Sequence, residues 1–152
     1  MYKGKSIACV IPARMSSSRF PGKPLAKIIG RELILRVADI ANESKFVDRI
    51  IIATEDMIIK ETVEKEGYEA MITNSHYTCT HRVAEVATQL TEDYIFNLQG
   101  DEPLTSPYEM ANVIAFGIDN NCDMVQPYRK AIPEEIADPD CVQMIVNNGK
   151  IL

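Results

Sequence analysis

No apolar run in this chain approaches the roughly 20 residues that a membrane-spanning helix needs. No C-x-x-C pair occurs among its four cysteines, Cys9, Cys79, Cys122 and Cys141. Positive charge is scarce as well, with a formal net charge of -6. The first absence argues against a membrane protein. The opening Met1–Lys5 leads into Ser6–Ile11, a stretch too short for a signal-peptide core, so the expected location is cytoplasmic. The second absence points to reduced thiols rather than a disulfide framework. The third excludes nucleic acid or an anionic membrane as the main partner, while leaving room for an anionic ligand held by a few basic residues in one loop. His76, Cys79 and His81 lie close together, but a fourth ligand and a usual zinc spacing are both missing. No internal repeat, low-complexity tract or linker is evident.

What is present is ordinary for a globular domain: 152 residues, 46% hydrophobic and 25% charged, enough for one nucleotide-binding-sized domain with a core. Short apolar runs alternate with segments of helical period, the pattern of a parallel sheet with crossover helices. Ser6–Ile11 predicts a first strand. Ile34, Val37, Ala38 and Ala41 then recur at i, i+3, i+4 and i+7, so a helix is expected over about Glu32–Ser44. Arg49–Thr54 predicts a second strand buried on both faces, and Asp56–Glu66 a helix ending at Gly67. Glu69–Thr73 and Tyr94–Leu98 predict further strands around a helix over Thr80–Leu90. Ser106-Pro107-Tyr108-Glu109 carries the signature of a helix start, a capping serine with proline next and glutamate three residues on. Met110, Val113, Ile114 and Gly117 are expected on that helix's inner face. Asp123–Tyr128 and Val142–Val146 predict a fifth and a sixth strand, followed by a tight turn at Asn147–Lys150.

Ligands of open α/β sheets gather at the carboxyl ends of the strands. The loop leaving the first strand runs from Pro12 to Leu25 and places Arg14, Arg19 and Lys23 within ten residues, separated by small and hydroxylated residues. Guanidinium groups grip phosphate in bidentate fashion, and small side chains let backbone N–H groups approach it. Pro21 and Pro24 stiffen the segment that carries Lys23, and Gly22 supplies a backbone angle that other residues resist. The loop is neither a P-loop, which needs glycine where Ser17 stands and Ser or Thr where Pro24 stands, nor a G-x-G-x-x-G fingerprint. Asp101 and Glu102 follow the fourth strand directly and so project into the same crevice, where a carboxylate suits magnesium. Arg82 falls in the first turn of its helix, where the dipole disfavours a cation. A ligand contact and a solvated side chain both account for it.

Pro12-Ala13-Arg14, a four-residue gap, and Arg19-Phe20-Pro21-Gly22-Lys23-Pro24-Leu25 resemble the opening motif of the bacterial CMP-sugar synthetases, and within them the CMP-Kdo synthetase branch that activates 3-deoxy-octulosonate. Arg49–Thr54, Thr80–Val86 and Asn97-Leu98-Gln99-Gly100-Asp101-Glu102-Pro103 resemble three further segments of the family in the same order. The resemblance implies a Rossmann-like, mostly parallel α/β sheet with helices on both faces. It implies a cytidylyltransferase that joins a sugar acid to CTP with release of pyrophosphate, using Mg2+, for lipopolysaccharide or surface-polysaccharide precursors.

By the same resemblance Arg14, Lys23 and Asp101 are catalytic and Asp101 holds the metal. Pro12, Ala13, Arg14, Arg19, Lys23, Thr80, Arg82 and Gln99 contact the nucleotide, with backbone groups at Ala13 reading the cytosine. CTP and a sugar acid are then the partners, with no nucleic acid or membrane, and a homodimer is one option, weakened where the C-terminal part is absent. Two departures stand out. Cys79 and His81 replace the family's Gly and Glu. Family members also continue well past this length, through sugar-acid contacts, a dimer-forming segment and a second metal-binding aspartate. A truncated domain with weak or no transfer activity is therefore the expectation for this chain alone. A non-catalytic nucleotide-binding module and a cytidylyltransferase for another acidic or amino sugar stay open.

Overall fold

Ile7 to Ala13 carries no charged side chain, and every residue in it is buried, so it forms an interior strand, β1 (Ile7–Ala13). The computed structural model describes residues 1–16, 20–138, 141, 142, 144, 146, 147, 150 and 151. β1 leads through a loop and a 3-10 turn (Lys23–Leu25) to a small antiparallel hairpin, β2 (Lys27–Ile28) and β3 (Arg31–Glu32). Then follow α1 (Leu33–Glu43), β4 (Arg49–Thr54), α2 (Met57–Lys65), β5 (Glu69–Ile72), α3 (Cys79–Ala87), β6 (Tyr94–Asn97), α4 (Pro107–Asp119), α5 (Pro133–Ile136), β7 (Val146–Asn147) and β8 (Lys150–Ile151). No helix among the described residues is long and apolar enough to cross a membrane.

The main sheet has the order β5-β4-β1-β6, and all its pairings are parallel. β4 and β5 stack outward on one side of β1, and β6 returns to the other. The chain thus reverses direction across the sheet between β1 and β6, the crevice where ligands of such sheets bind.

Alternation along the strands divides two cores. Cys9, Ile11 and Ala13 of β1 face α1, α2 and Met110 of α4, while Val10, Ile51 and Ala53 face Val83 and Val86 of α3. Helices therefore cover both faces, as expected. Ile34, Val37, Ala38 and Ala41, the periodic residues of α1, are all fully buried. A buried isoleucine or valine contributes about 1.5–3 kcal/mol, which is what turns that period into a docked helix. On α4 the buried set is Met110, Ala111, Ile114 and Gly117, with Val113 half-buried. The Ser106 hydroxyl accepts from the Glu109 N–H at 3.4 Å, with Pro107 first in the helix.

The fifth predicted strand is not one. Asp123 to Tyr128 has no ladder. Val125 lies against α4, where a Cβ on Gly117 would meet its Cγ2 at 3.2 Å, and Pro127 offers no N–H to a neighbouring strand. The segment follows a helix instead of a sheet edge. Of the sixth predicted strand, Gln143 and Ile145 lie outside the described residues, and only Val146 joins a ladder. β7 and β8 are antiparallel, pairing Val146 with Ile151 and Asn147 with Lys150; of the turn expected at Asn147–Lys150, Asn148 and Gly149 lie outside the described residues.

Candidate functional site at the carboxyl ends of β1 and β6

β1 pairs with β4 as far as Ala13–Thr54, but its register with β6 ends at Val10–Asn97, with one further bond from the Leu98 N–H to the Val10 carbonyl at 3.1 Å. Beyond that point the two strands part. The gap is a cleft of about 490 Å³ lined by Pro12, Ala13, Arg14, Phe20, Lys23, Pro24, His76, Thr78, Cys79, Arg82, Gln99, Gly100 and Asp101. Three segments build it: the loop after β1, the β5–α3 connection and the turn after β6.

The first wall is braced at several points. The Met15 N–H donates to Asp56 Oδ2 at 2.8 Å, and the Gly22 N–H donates to the Met15 carbonyl at 3.0 Å, closing the loop on itself. Gly22 has φ +76°, a left-handed angle that suits glycine, and it caps the 3-10 turn that begins with Lys23. Lys23 is thereby aimed across the cleft. Its Nζ lies 2.5 Å from Asp101 Oδ2, and both side chains keep partial exposure, 36% and 48%. Arg14 is exposed on the same wall. Arg19 lies outside the described residues.

The opposite wall is polar and mostly paired. Arg82, on α3, is only 2% exposed. Its Nη1 donates to Thr73 Oγ1 and, at 3.5 Å, to the Asn74 carbonyl, while Nη2 stands 3.4 Å from Glu55 Oε2. Neither Nη2 nor that oxygen has a hydrogen-bond partner. The solvated reading of Arg82 is therefore wrong: an acid at the end of β4 draws the guanidinium inward. Burial works to raise the Glu55 carboxyl, but a hydrogen bond from Ser75 and the charges of Arg82 and Arg14 outweigh it and hold it below its ordinary value.

His76 Nε2 pairs with Glu85 Oε2, which the Asn74 backbone N–H also approaches at 3.0 Å. The His76 partner, first, and the Asn74 N–H keep the Glu85 carboxyl low. His81 turns the other way, its Nδ1 2.9 Å from Thr78 Oγ1. The cluster of His76, Cys79 and His81 thus separates, and no group of three metal-ligating side chains gathers among the described residues.

Of the nucleotide-contacting residues expected from the sequence, Pro12, Ala13, Arg14, Lys23, Arg82 and Gln99 line the cleft together with Asp101. Thr80 does not: it is exposed on α3. Phe20, Pro24, His76, Thr78, Cys79 and Gly100 line the cleft without having been singled out as contacts. For Gly100 a signal existed, a glycine three residues past the end of an apolar strand. For His76 none did, since its partner Glu85 sits a helix turn and a loop away.

A family model described as cytidylyltransferase matches residues 8–150. A 3-deoxy-manno-octulosonate cytidylyltransferase of Syntrophotalea carbinolica is 44% identical over 111 residues, covering 72% of this chain and 44% of that protein. A protein of the same name from Anaeromyxobacter sp. (strain Fw109-5) is 37% identical over 145 residues, covering 94% and 59%. The chain spans about half the length of these curated relatives. Among solved structures, a CMP:2-keto-3-deoxy-manno-octonic acid synthetase complexed with CTP superposes with a TM-score of 0.75 at 35% identity, over 76% of this chain and 48% of that one. A cytidylyltransferase from Leptospira borgpetersenii, at 23% identity and a TM-score of 0.66, shares the fold.

Proposed function

This chain belongs to the cytidylyltransferase family, and on that premise we propose that its cleft binds CTP with Mg2+ and supplies the nucleotide side of CMP transfer to a 3-deoxy-octulosonate-type sugar acid. The observation that carries the reading is the meeting of Lys23 and Asp101 at 2.5 Å in the cleft between β1 and β6. A cation and a carboxylate that share one exposed spot are positioned to exchange each other for a phosphate and a metal.

The donor set suits magnesium. Asp101 is the one carboxylate lining the cleft among the described residues, and magnesium takes one or two carboxylates with phosphate oxygens and water completing its shell. Bound there, the ion supplies charge neutralisation and orientation at the phosphates. Lys23, released from Asp101, neutralises the triphosphate together with Arg14. Gln99 contacts ribose or the sugar acid, and the backbone at Pro12 and Ala13 meets the base. In the transfer, the anomeric hydroxyl oxygen bonds to the α-phosphorus and gives up its proton to solvent, while the bond from the α-phosphorus to the bridging oxygen of the β-phosphate breaks and pyrophosphate leaves. Charge accumulates on the phosphoryl oxygens, where fixed cations act without reorganising. Both substrates are small soluble anions, and the reading puts the protein in the cytoplasm.

A second reading, a nucleotide-binding module without transfer activity, draws on the single lining carboxylate and the half-length match. Pyrophosphate release measured with CTP, Mg2+ and the octulosonate separates them. Release above background supports transfer. CTP binding without release supports the module. Absence of CTP binding by calorimetry overturns both.

A further inference from the structure

Two acids stand side by side at the carboxyl end of β4, just behind the cleft and outside its lining. Asp56 Oδ2 accepts the Met15 N–H at 2.8 Å, tying down the loop that carries Arg14. Glu55 reaches the other way, toward the buried guanidinium of Arg82 on the opposite wall, with Oε2 and Nη2 3.4 Å apart. The Thr54 side chain before them is fully buried and its Oγ1 accepts the Asp56 N–H at 3.1 Å, so the pair projects from a fixed point. We propose that Glu55 and Asp56 are positioning residues that set the separation of the two walls, with Glu55 holding the buried guanidinium of Arg82 in the place from which Arg82 lines the cleft.

The geometry favours positioning over simple charge. Neither acid touches the cleft, yet each grips a different wall. Arg82 is too deeply buried to be solvated, so without Glu55 its guanidinium must shift or draw water in. Its remaining bonds, to Thr73 Oγ1 and the Asn74 carbonyl, hold one nitrogen and leave the other, itself buried, to Glu55. The same carboxylate lies in the field of Arg14. Electrostatics alone therefore predicts that removing it tightens the binding of a polyanion, whereas loss of a positioned wall loosens it. The signs are opposite.

This inference rests on the CTP reading, and the test separates the two. The wild-type chain, Glu55→Gln and Glu55→Asp are titrated with CTP and with CMP in Mg2+ by calorimetry, with the fold checked by circular dichroism. The expected result is an affinity loss of about tenfold in Glu55→Gln for CTP and CMP alike, because the Arg82 wall that both nucleotides share shifts, and each tenfold is about 1.4 kcal/mol. Glu55→Asp, which keeps the charge, is expected to stay within about threefold of wild type, a difference of roughly 0.7 kcal/mol. CTP binding by Glu55→Gln equal to or tighter than wild type overturns the proposal. So does a loss confined to CTP, which would put the effect at the phosphates. Should Glu55→Gln not fold, Ser75→Ala decides, since Ser75 is exposed and hydrogen-bonds the Glu55 carboxylate; weaker binding of both nucleotides supports the proposal and unchanged binding overturns it. Failure of the wild-type chain to bind either nucleotide removes the functional reading itself.

Discussion

Gly100 sits so close to Pro12 that a Cβ added to it would come within 2.6 Å of the Pro12 carbonyl oxygen, with Ile34 Cδ1 at 3.3 Å behind. The contact joins the turn after β6 to the end of β1 and sets the floor of the cleft. Backbone cannot yield as a flexible side chain can. Gly100→Ala is therefore expected to lower stability by about 1–3 kcal/mol, the usual range for overpacking, and to weaken CTP binding. Thermal unfolding and calorimetry on the same variant check both. Unchanged stability would show that the turn relaxes away from Pro12.

Asp101 is expected to change sign with metal. With Mg2+ present, Asp101→Asn should bind CTP about tenfold more weakly, in keeping with roughly 1.5–3 kcal/mol for an interaction with a charged group. In EDTA the same variant should bind CTP as well as wild type or better, because a carboxylate facing the phosphates has gone and Lys23 is free. Stability should barely move, since exposed ion pairs contribute about 0–1 kcal/mol. Equal losses with and without metal would remove Asp101 as the metal ligand.

Thiol chemistry offers a map of the cleft. Burial pushes the Cys9 thiol up to about 12, so it should resist a disulfide reagent until the chain unfolds. Cys79 is exposed and lines the cleft. It should label within the native state, and saturating CTP should slow that labelling several-fold, read against a Cys79→Ser control. Labelling indifferent to CTP would place the nucleotide elsewhere.

Acid should loosen the amino end of the sheet, opposite the cleft. The Lys5 ammonium, followed by the Ser6 N–H and hydroxyl, lowers the Asp93 carboxyl to about 2 from 3.8. A carboxyl depressed in the folded state contributes stability above its unfolded value and loses it as pH falls through the folded one. The difference in melting temperature between wild type and Asp93→Asn should thus be full above about pH 4 and close toward pH 2. A constant difference across that window would mean that Asp93 acts through packing.

The alternation of strands and helices was legible because burial dictates it. Ile34, Val37, Ala38 and Ala41 can be buried together only on a helix, and Ile50-Ile51-Ile52 only in a covered strand. The Lys23–Asp101 meeting followed from strand-end logic, since both lie just past strands that flank the switch point. Other features depend on partners distant in sequence. Nothing near Arg82 announces that Glu55 will bury it. Asp123–Tyr128 has strand composition but lies along a helix. The β2–β3 hairpin hides in strands of two residues, its turn marked by Ile29 and Gly30 at φ 49° and 78° and its carbonyls held by Arg36 at 2.6 and 2.9 Å.

Pro12 explains why there is a cleft at all. The Ser6 and Val10 carbonyls point toward β6, accepting from Tyr94 and Leu98, so by the two-residue repeat of a strand the next backbone group on that side is Pro12. Proline has a carbonyl but no N–H. The ladder loses a donor there, and the neighbouring chain finds only the Pro12 carbonyl to bond to. Any other residue at position 12 would restore an amide that asks for a partner on the ligand's side of the strand. A single imino acid thus keeps the crevice from sealing itself.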